Sequence, residues 1–295
     1  MGKYLGQHFL VNKRKLRKIV EALDLKSGDV IIEIGAGHGE LTKEIIQKFR
    51  NSEVKKFKII AIEKDKKLIE ILRSRVALPY REAPPCFYNE VMKDKDKKMK
   101  DKEIMVEIVE GDALKALPKL TNNLQLTTND YKIAGNIPYY ITGHLLRIIS
   151  ELENKPSLIV LTIQKEVAER IIAKSPKMNL LAASVQFWAK PEIIDFIPAE
   201  DFKPRPDVDS AIIKLSTLAD AMTCHSVERQ RMENYYKIVK ILFKQPRKTI
   251  LNNLTVTMTI TKEGITKKLE KSGINPQDRP QNLDIKQIKE LSTLF

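Results

Sequence analysis

Four short apolar runs in this chain stop at residues that a core does not favour, and three of them are followed by a stretch with helical spacing. Val30–Ile34 runs into Gly35-Ala36-Gly37-His38-Gly39, and Phe57–Ile62 into Glu63-Lys64-Asp65. Ile104–Val109 runs into Glu110-Gly111-Asp112, and Tyr131–Ala134 into Gly135-Asn136-Ile137-Pro138-Tyr139. Helical spacing recurs at Leu41–Phe49, Lys66–Val76, Gly143–Leu152 and Lys165–Ala173, with a further strand at Leu158–Ile163. This alternation predicts an α/β fold, a mostly parallel sheet with helices on both faces. Pro138 has no N–H to give a ladder, so the fourth strand should end near Asn136. Ligands of open α/β sheets sit at the carboxyl ends of the strands, which is where the Gly, Glu, Asp and Asn tips would gather.

Two nearby strand-like runs, Ile193–Ile197 and Ala211–Leu215, read as a terminal antiparallel hairpin. After about Ser216 the strand pattern stops. Glu228–Phe243, Arg247–Leu254, Thr261–Lys271 and Ile285–Leu294 are helical candidates punctuated by Pro246, Gly273 and Pro280. A catalytic domain over 1–217 and a small helical domain over 218–295 are therefore expected. Residues 79–103 interrupt the pattern with PYREAPP and KDKDKKMKDK, and read as a flexible surface excursion or a basic RNA-touching loop. TNNLQLTTND, 121–130, reads as a smaller polar loop.

A chain of 295 residues can bury one large core and carry a second, smaller domain. No apolar run approaches the ~20 residues that span a bilayer. The N-terminal stretch lacks an apolar segment with a cleavage site, so a cytoplasmic protein is expected. Cys86 and Cys224 are too few and too isolated for a disulfide framework or a metal site. The formal net charge of +14 is unevenly spread. Residues 1–20 hold six cations (Lys3, Lys13, Arg14, Lys15, Arg17, Lys18) and no acid, and 237–271 hold nine Lys/Arg against Glu263 and Glu270. Such clusters suit a phosphate backbone, or are solvated surface.

The glycines after the first strand are spaced G-x-G-x-G, with Glu40 where a dinucleotide fingerprint needs its third glycine, and there is no Walker lysine. A cofactor without a pyrophosphate fits better, and S-adenosylmethionine is one. Glu63 at the second tip can accept hydrogen bonds from both ribose hydroxyls, or serve as the acid that starts the next helix. Asp112 at the third tip can take an adenine amino group, or cap the following turn. Asn136, with the Ile137 carbonyl, can accept from the exocyclic amine of a target base. Pro138 fixes that turn, and Tyr139 offers a ring for the base to stack on. This tip suits methyl transfer to an amine without a strong base; local packing is the alternative.

On these residues the chain resembles the ribosomal RNA adenine dimethyltransferase family, and within it the bacterial small-subunit enzymes. LGQHFLVN (5–12), EIGAGHGELT, IEKD, EGDAL, NIPYYIT, IQKEVAERI, DFKPRPDVDSAIIKL (201–215) and PRKTILNNL (246–254) carry the resemblance. It covers nearly the whole chain apart from 79–103. It implies a Rossmann-like methyltransferase domain with a helical RNA-binding domain. The implied reaction is S-adenosylmethionine-dependent dimethylation of the N6 amines of two adjacent adenines in the 3′-terminal hairpin of small-subunit rRNA. A monomer acting on an immature subunit is expected. The implied cofactor contacts are His8, Leu10, Gly35, Gly37, Glu63, Asp112 and Asn136, His8 through a hydrogen bond. Phe202 matches a second aromatic that would sandwich a flipped adenine against Tyr139; packing on the Pro204/Pro206 turn is the alternative. Asn136, Pro138, Tyr139 and Phe202 are thus the expected catalytic group. Gln164, Lys165 and Glu166 match in type but acquire no role. Large-subunit methyltransferases, a non-catalytic assembly or transcription factor, and an NAD-binding oxidoreductase are the competing readings, the last weakened by Glu40.

Overall fold

The described residues of the computed structural model are 7–76, 103–124, 126, 131–221 and 226–295, with the main chain alone at 90–92 and 226–228. The chain forms two compact units, one of residues 1–168 and 192–217, the other of 169–191 and 218–295.

In chain order the first unit begins with β1 (Phe9–Leu10), α1 (Lys13–Ala22), β2 (Val30–Ile34), α2 (Glu40–Arg50), β3 (Lys56–Glu63) and α3 (Lys66–Val76). It continues through β4 (Glu90–Met92), β5 (Glu103–Glu110), α4 (Ala113–Asn123), β6 (Tyr131–Asn136), α5 (Thr142–Glu151) and β7 (Leu158–Gln164). Next come α6 (Lys165–Ile171) and α7 (Leu180–Gln186), the latter within the second unit, then β8 (Ala189–Ile197), β9 (Phe202–Lys203) and β10 (Ser210–Thr217). Four helices follow: α8 (Ser226–Leu242), α9 (Ile250–Thr255), α10 (Lys262–Lys271) and α11 (Ile285–Leu294).

Eight strands make one sheet in the order β4-β5-β3-β2-β6-β7-β10-β8. The five from β5 to β7 are parallel, and β10 runs antiparallel to β7. Burial on both faces explains why the inner strands are almost wholly apolar: Ile31, Ile59, Ile133 and Val160 have no exposed surface. Leu16, Ile19 and Val20 of α1 join Leu41, Ile45 and Phe49 of α2 in one core cluster, where the Phe49 and Phe57 rings meet edge to face at 4.5 Å.

The mostly parallel sheet and helical C-terminal region match the expected fold, with specific corrections. Residues 13–22 form a helix, capped by Asn12, whose side chain accepts from Arg14 N and Lys15 N. Within 79–103, Glu90–Met92 form a strand antiparallel to β5, not a free excursion; the rest of 77–102 lies outside the described residues. Helix α4 runs on through 121–123 of the expected loop. The two late strands are sheet neighbours but no simple hairpin, because the excursion between them carries β9, which pairs with β1.

The second unit buries Tyr235, Ile238 and Leu242 of α8 with Leu251, Leu269, Ile288 and Leu291. Its helices start at Thr249, Thr261 and Asp284, each side chain accepting a main-chain N–H, and Asp284 with Gln287 forms a reciprocal capping box. Helix α9 therefore begins at Ile250, later than the expected Arg247. Among the described residues no helix is long and apolar enough to cross a membrane.

Helix α1 is tied down by charge. Lys15 and Lys18 reach Asp195 of β8 at 2.7 and 2.8 Å, and Lys15 also donates to the Phe196 carbonyl. Burial works to raise the Asp195 carboxyl, but the hydrogen bonds from Lys15 and Lys18 outweigh it and hold the group at about 2. Because the folded value lies below the unfolded one, this stabilisation is complete above about pH 4 and is lost as pH falls toward 2. Asp195→Asn should lower stability at pH 7 by roughly 1–2 kcal/mol and should cost little at pH 2, measured by urea unfolding at both pH values.

Candidate active site

The carboxyl ends of β2, β3, β5 and β6 open onto one cleft with about 980 Å³ of space, partly open to solvent. Of the expected residues, His8, Gly35, Gly37, Glu63, Asp112, Asn136, Pro138 and Tyr139 all line it.

Gly37 adopts φ 58°, and a Cβ there would lie 2.9 Å from the Phe9 ring, so both conformation and space demand glycine. Glu63 is buried, and its Oε2 accepts from Gly37 N at 2.8 Å. Its Oε1 accepts from Lys64 N and Asp65 N at 2.8 and 2.9 Å. The carboxylate thus fastens the glycine loop to the end of β3 and also starts the next turn. A carboxylate has about four acceptor positions. Three are filled here, so one is left for a ligand rather than two.

Of the two parts expected of Asp112, the structure shows the cap. Its Oδ1 caps α4 through Leu114 N, and its Oδ2 takes Lys64 Nζ at 3.1 Å. Burial pushes its pKa up, but the Lys64 and Leu114 bonds prevail and leave it lowered.

At the other end, Asn136 Nδ2 donates to the His8 carbonyl at 2.7 Å. That bond turns the amide so that Oδ1 is the atom left to accept. The His8 Nδ1 donates to the Pro204 carbonyl at 2.9 Å, and its ring stacks on Tyr139 with centroids 5.8 Å apart. Tyr139 shares a 2.7 Å hydrogen bond with Ser210 Oγ. Burial raises the phenol pKa, which keeps it protonated.

Phe202 and Leu10 lie elsewhere. Both side chains are 2% exposed, both belong to the core cluster, and neither is on the cleft wall. They face each other in the β1–β9 register, which holds His8 beside the cleft. In this conformation Phe202 offers no face to a base, and the aromatic surface beside Tyr139 belongs to His8. His38 packs edge to face with Phe9, their ring centroids 4.2 Å apart. Gln7, Phe9, Lys64 and Tyr140 also line the cleft. Their neighbours in the motifs marked the place, but no spacing rule singles them out. Of the six N-terminal cations, Lys15 and Lys18 are paired with Asp195 and Arg17 with Glu44, while Lys13 and Arg14 are exposed. Lys3 lies outside the described residues.

The cleft suits S-adenosylmethionine. Its glycine loop carries no phosphate-binding lysine, and the Glu63 carboxylate favours a ligand that carries a sulfonium cation. An eight-stranded sheet of this order, open at the strand ends over a Gly/Glu/Asp/Asn edge, defines a Rossmann-like methyltransferase.

Solved structures share that fold. A dimethyladenosine transferase from Plasmodium falciparum superposes with a TM-score of 0.69 at 24% identity, covering 96% of each chain. A 23S rRNA methyltransferase, ErmE, superposes with a TM-score of 0.65 at 19% identity, covering 97% of this chain and 98% of that one. The family model described as ribosomal RNA adenine dimethylase matches residues 2–84 and 87–295. Proteins named ribosomal RNA small subunit methyltransferase A are similar over almost the whole chain. The one from Dehalococcoides mccartyi strain 195 is 34% identical, covering 99% of this chain and 88% of its own. The one from Halothermothrix orenii is 32% identical, covering 99% and 87%. The chain belongs to the ribosomal RNA adenine dimethylase family, and S-adenosylmethionine is its cofactor. The family match breaks only at 85–86, so the departure expected across 79–103 is much narrower.

Beneath the glycine loop, Glu33 is almost wholly buried and accepts from Thr42 Oγ1 at 2.6 Å. Burial pushes its pKa up to about 8, against the Thr42 bond. Between about pH 4.5 and 8 the unfolded chain has lost this proton while the folded chain keeps it, so stability falls as pH rises through that window. Glu33→Gln keeps the acceptor for Thr42 and should remove a slope of up to about 1.4 kcal/mol per pH unit, read from urea unfolding at pH 6 and 9.

Proposed function

We propose that the protein transfers methyl groups to the N6 amines of two adjacent adenines in the 3′-terminal hairpin of small-subunit rRNA, two on each. We infer that it acts in the cytoplasm, as a monomer, on an immature subunit. The observation that carries this reading is the Asn136 amide, whose nitrogen is committed to the His8 carbonyl and whose oxygen is thereby left as an acceptor.

S-adenosylmethionine, when bound, supplies a methyl group on a positively charged sulfur. Glu63 would take a ribose hydroxyl at its remaining acceptor position, and Asp112 the cofactor's adenine amino group. Asn136 Oδ1 and the Ile137 carbonyl would accept the two N–H bonds of the target amine and so orient its lone pair. Orientation of this kind lowers barriers by up to ~7–11 kcal/mol. Tyr139, its hydroxyl tethered to Ser210, would be the wall on which the flipped adenine stacks, for ~1–3 kcal/mol. The amine can lose its proton to solvent after the new C–N bond forms, so no side chain needs to act as a strong base. His8 fits that economy, because its Nδ1 is engaged by Pro204. For Phe202 to close on the base it would have to leave the core, which makes it the weakest member of the expected group.

The test is labelled-methyl transfer to purified immature small subunits and to large subunits, with the modified position mapped. Transfer to adjacent adenines of the small subunit supports the reading; transfer to the large subunit, or binding without transfer, overturns it. Asn136→Ala should cut turnover by about 100-fold or more while leaving RNA affinity within about twofold, compared by single-turnover assay and filter binding. Glu63→Ala should instead weaken cofactor binding at least tenfold by calorimetry, because it removes both the ribose acceptor and the tether of the glycine loop.

A further inference from the structure

The sheet edge that builds the base-binding wall continues past the cleft. Tyr139 is bonded to Ser210, and Ser210 faces Gln164 in the β7–β10 register, so the end of β7 lies next to that wall. One residue on, Lys165 leaves the sheet, is exposed, and donates its main-chain N–H to the Asp209 carbonyl at 3.0 Å. Its ammonium sits 5.1 Å from the centre of the Phe196 ring. Phe196 is 43% exposed, and Val208, next to Asp209, is 44% exposed. A large aromatic ring is thus left in water beside a cation, with Val208 exposed on the segment that meets the Lys165 main chain. The carboxylate nearest in sequence, Asp195, is already held by Lys15 and Lys18.

We propose that Lys165, Phe196 and Val208 form the docking surface for the RNA nucleotide that flanks the target adenine. The flanking base stacks on the Phe196 ring with Val208 against its edge, and the Lys165 ammonium moves from the ring to the adjoining phosphate. A cation over an exposed aromatic ring is the pairing that single-stranded RNA uses, since every base has a π-face and every linkage a charge. Position supports this occupant over a protein partner, because a base flipped onto Tyr139 has a neighbour only one nucleotide away. Lys203 and Arg205, exposed on the same segment as Val208, add positive charge, while Glu166 and Asp207 offset it. Stacking should therefore contribute more than charge. The inference rests on the rRNA-methylating reading and gives a role to the otherwise unassigned Lys165.

The experiment measures methyl transfer by the full chain to immature small subunits, binding to the naked rRNA hairpin, and S-adenosylhomocysteine affinity. Phe196→Ala should raise KM and the hairpin Kd by about tenfold with kcat within twofold. Phe196→Tyr, which keeps the ring, should restore both. Lys165→Gln should reduce the slope of log Kd against log salt by slightly under one. Unchanged S-adenosylhomocysteine affinity in all three variants separates this surface from the cofactor cleft. Wild-type values of KM and salt slope in Phe196→Ala and Lys165→Gln overturn the inference while leaving the methylation reading intact. Weaker subunit binding with unaltered hairpin binding overturns it too, because the patch would then contact protein. Absence of transfer by the wild-type chain overturns both.

Discussion

A carboxamide can present either a donor or an acceptor, and here a single main-chain carbonyl decides which. The His8 oxygen takes the Asn136 N–H, and the chemistry proposed for the cleft requires the oxygen that remains. His8 is itself held from three sides: its ring nitrogen on Pro204, its ring face on Tyr139, and the strand that follows it on β9. Segments far apart in sequence thus converge to fix the direction of one amide. The energetic logic is one-sided, since a buried donor left without its partner costs ~1–3 kcal/mol, whereas the bond as made contributes ~1 kcal/mol.

Charge in the cleft is managed with similar economy. Glu63 stays anchored by three main-chain N–H groups, so its carboxylate shapes the glycine loop whether or not a ligand is present. Asp112 is braced by Lys64 and by the start of α4. One layer deeper, Glu33 keeps its proton near neutrality, because an ionised carboxylate there would be desolvated and also repelled by Glu40 and Glu63. The cleft therefore presents the Glu63 carboxylate, and an Asp112 already paired with Lys64, while a third acid lies neutral beneath them.

Much of this was legible in the sequence, for a definite reason. Strand ends announce themselves locally: Gly35, Glu63, Asp112 and Asn136 each follow an apolar run, and parallel topology carries all four to one edge. The family motifs marked the same places. What could not be read were contacts made across the fold. Nothing in the spacing of Lys15 and Lys18 points to Asp195, so cations that looked available for phosphate prove to be structural ties. Phe202 stands in a recognisable segment, but its burial follows from the two-residue β1–β9 pairing, too short to leave a periodic signal. Residues 13–22 did carry helical spacing behind a capping Asn12. Their density of lysine and arginine drew attention to charge and away from Leu16, Ile19 and Val20.

The pairing of Tyr139 with Ser210, together with that of Asn136 with His8, has a consequence for how the protein matures. The wall proposed for the base draws on residues near both ends of the first unit, with strand β10 supplying one and the start of the chain another. Contacts of such long sequence separation close late, after loop entropy has been overcome elsewhere. A nascent chain that has not yet released residues beyond 210 would hold a glycine loop and its acidic neighbours but no completed seat for a purine. In the proposed reading, binding of the small cofactor would thus precede competence toward RNA.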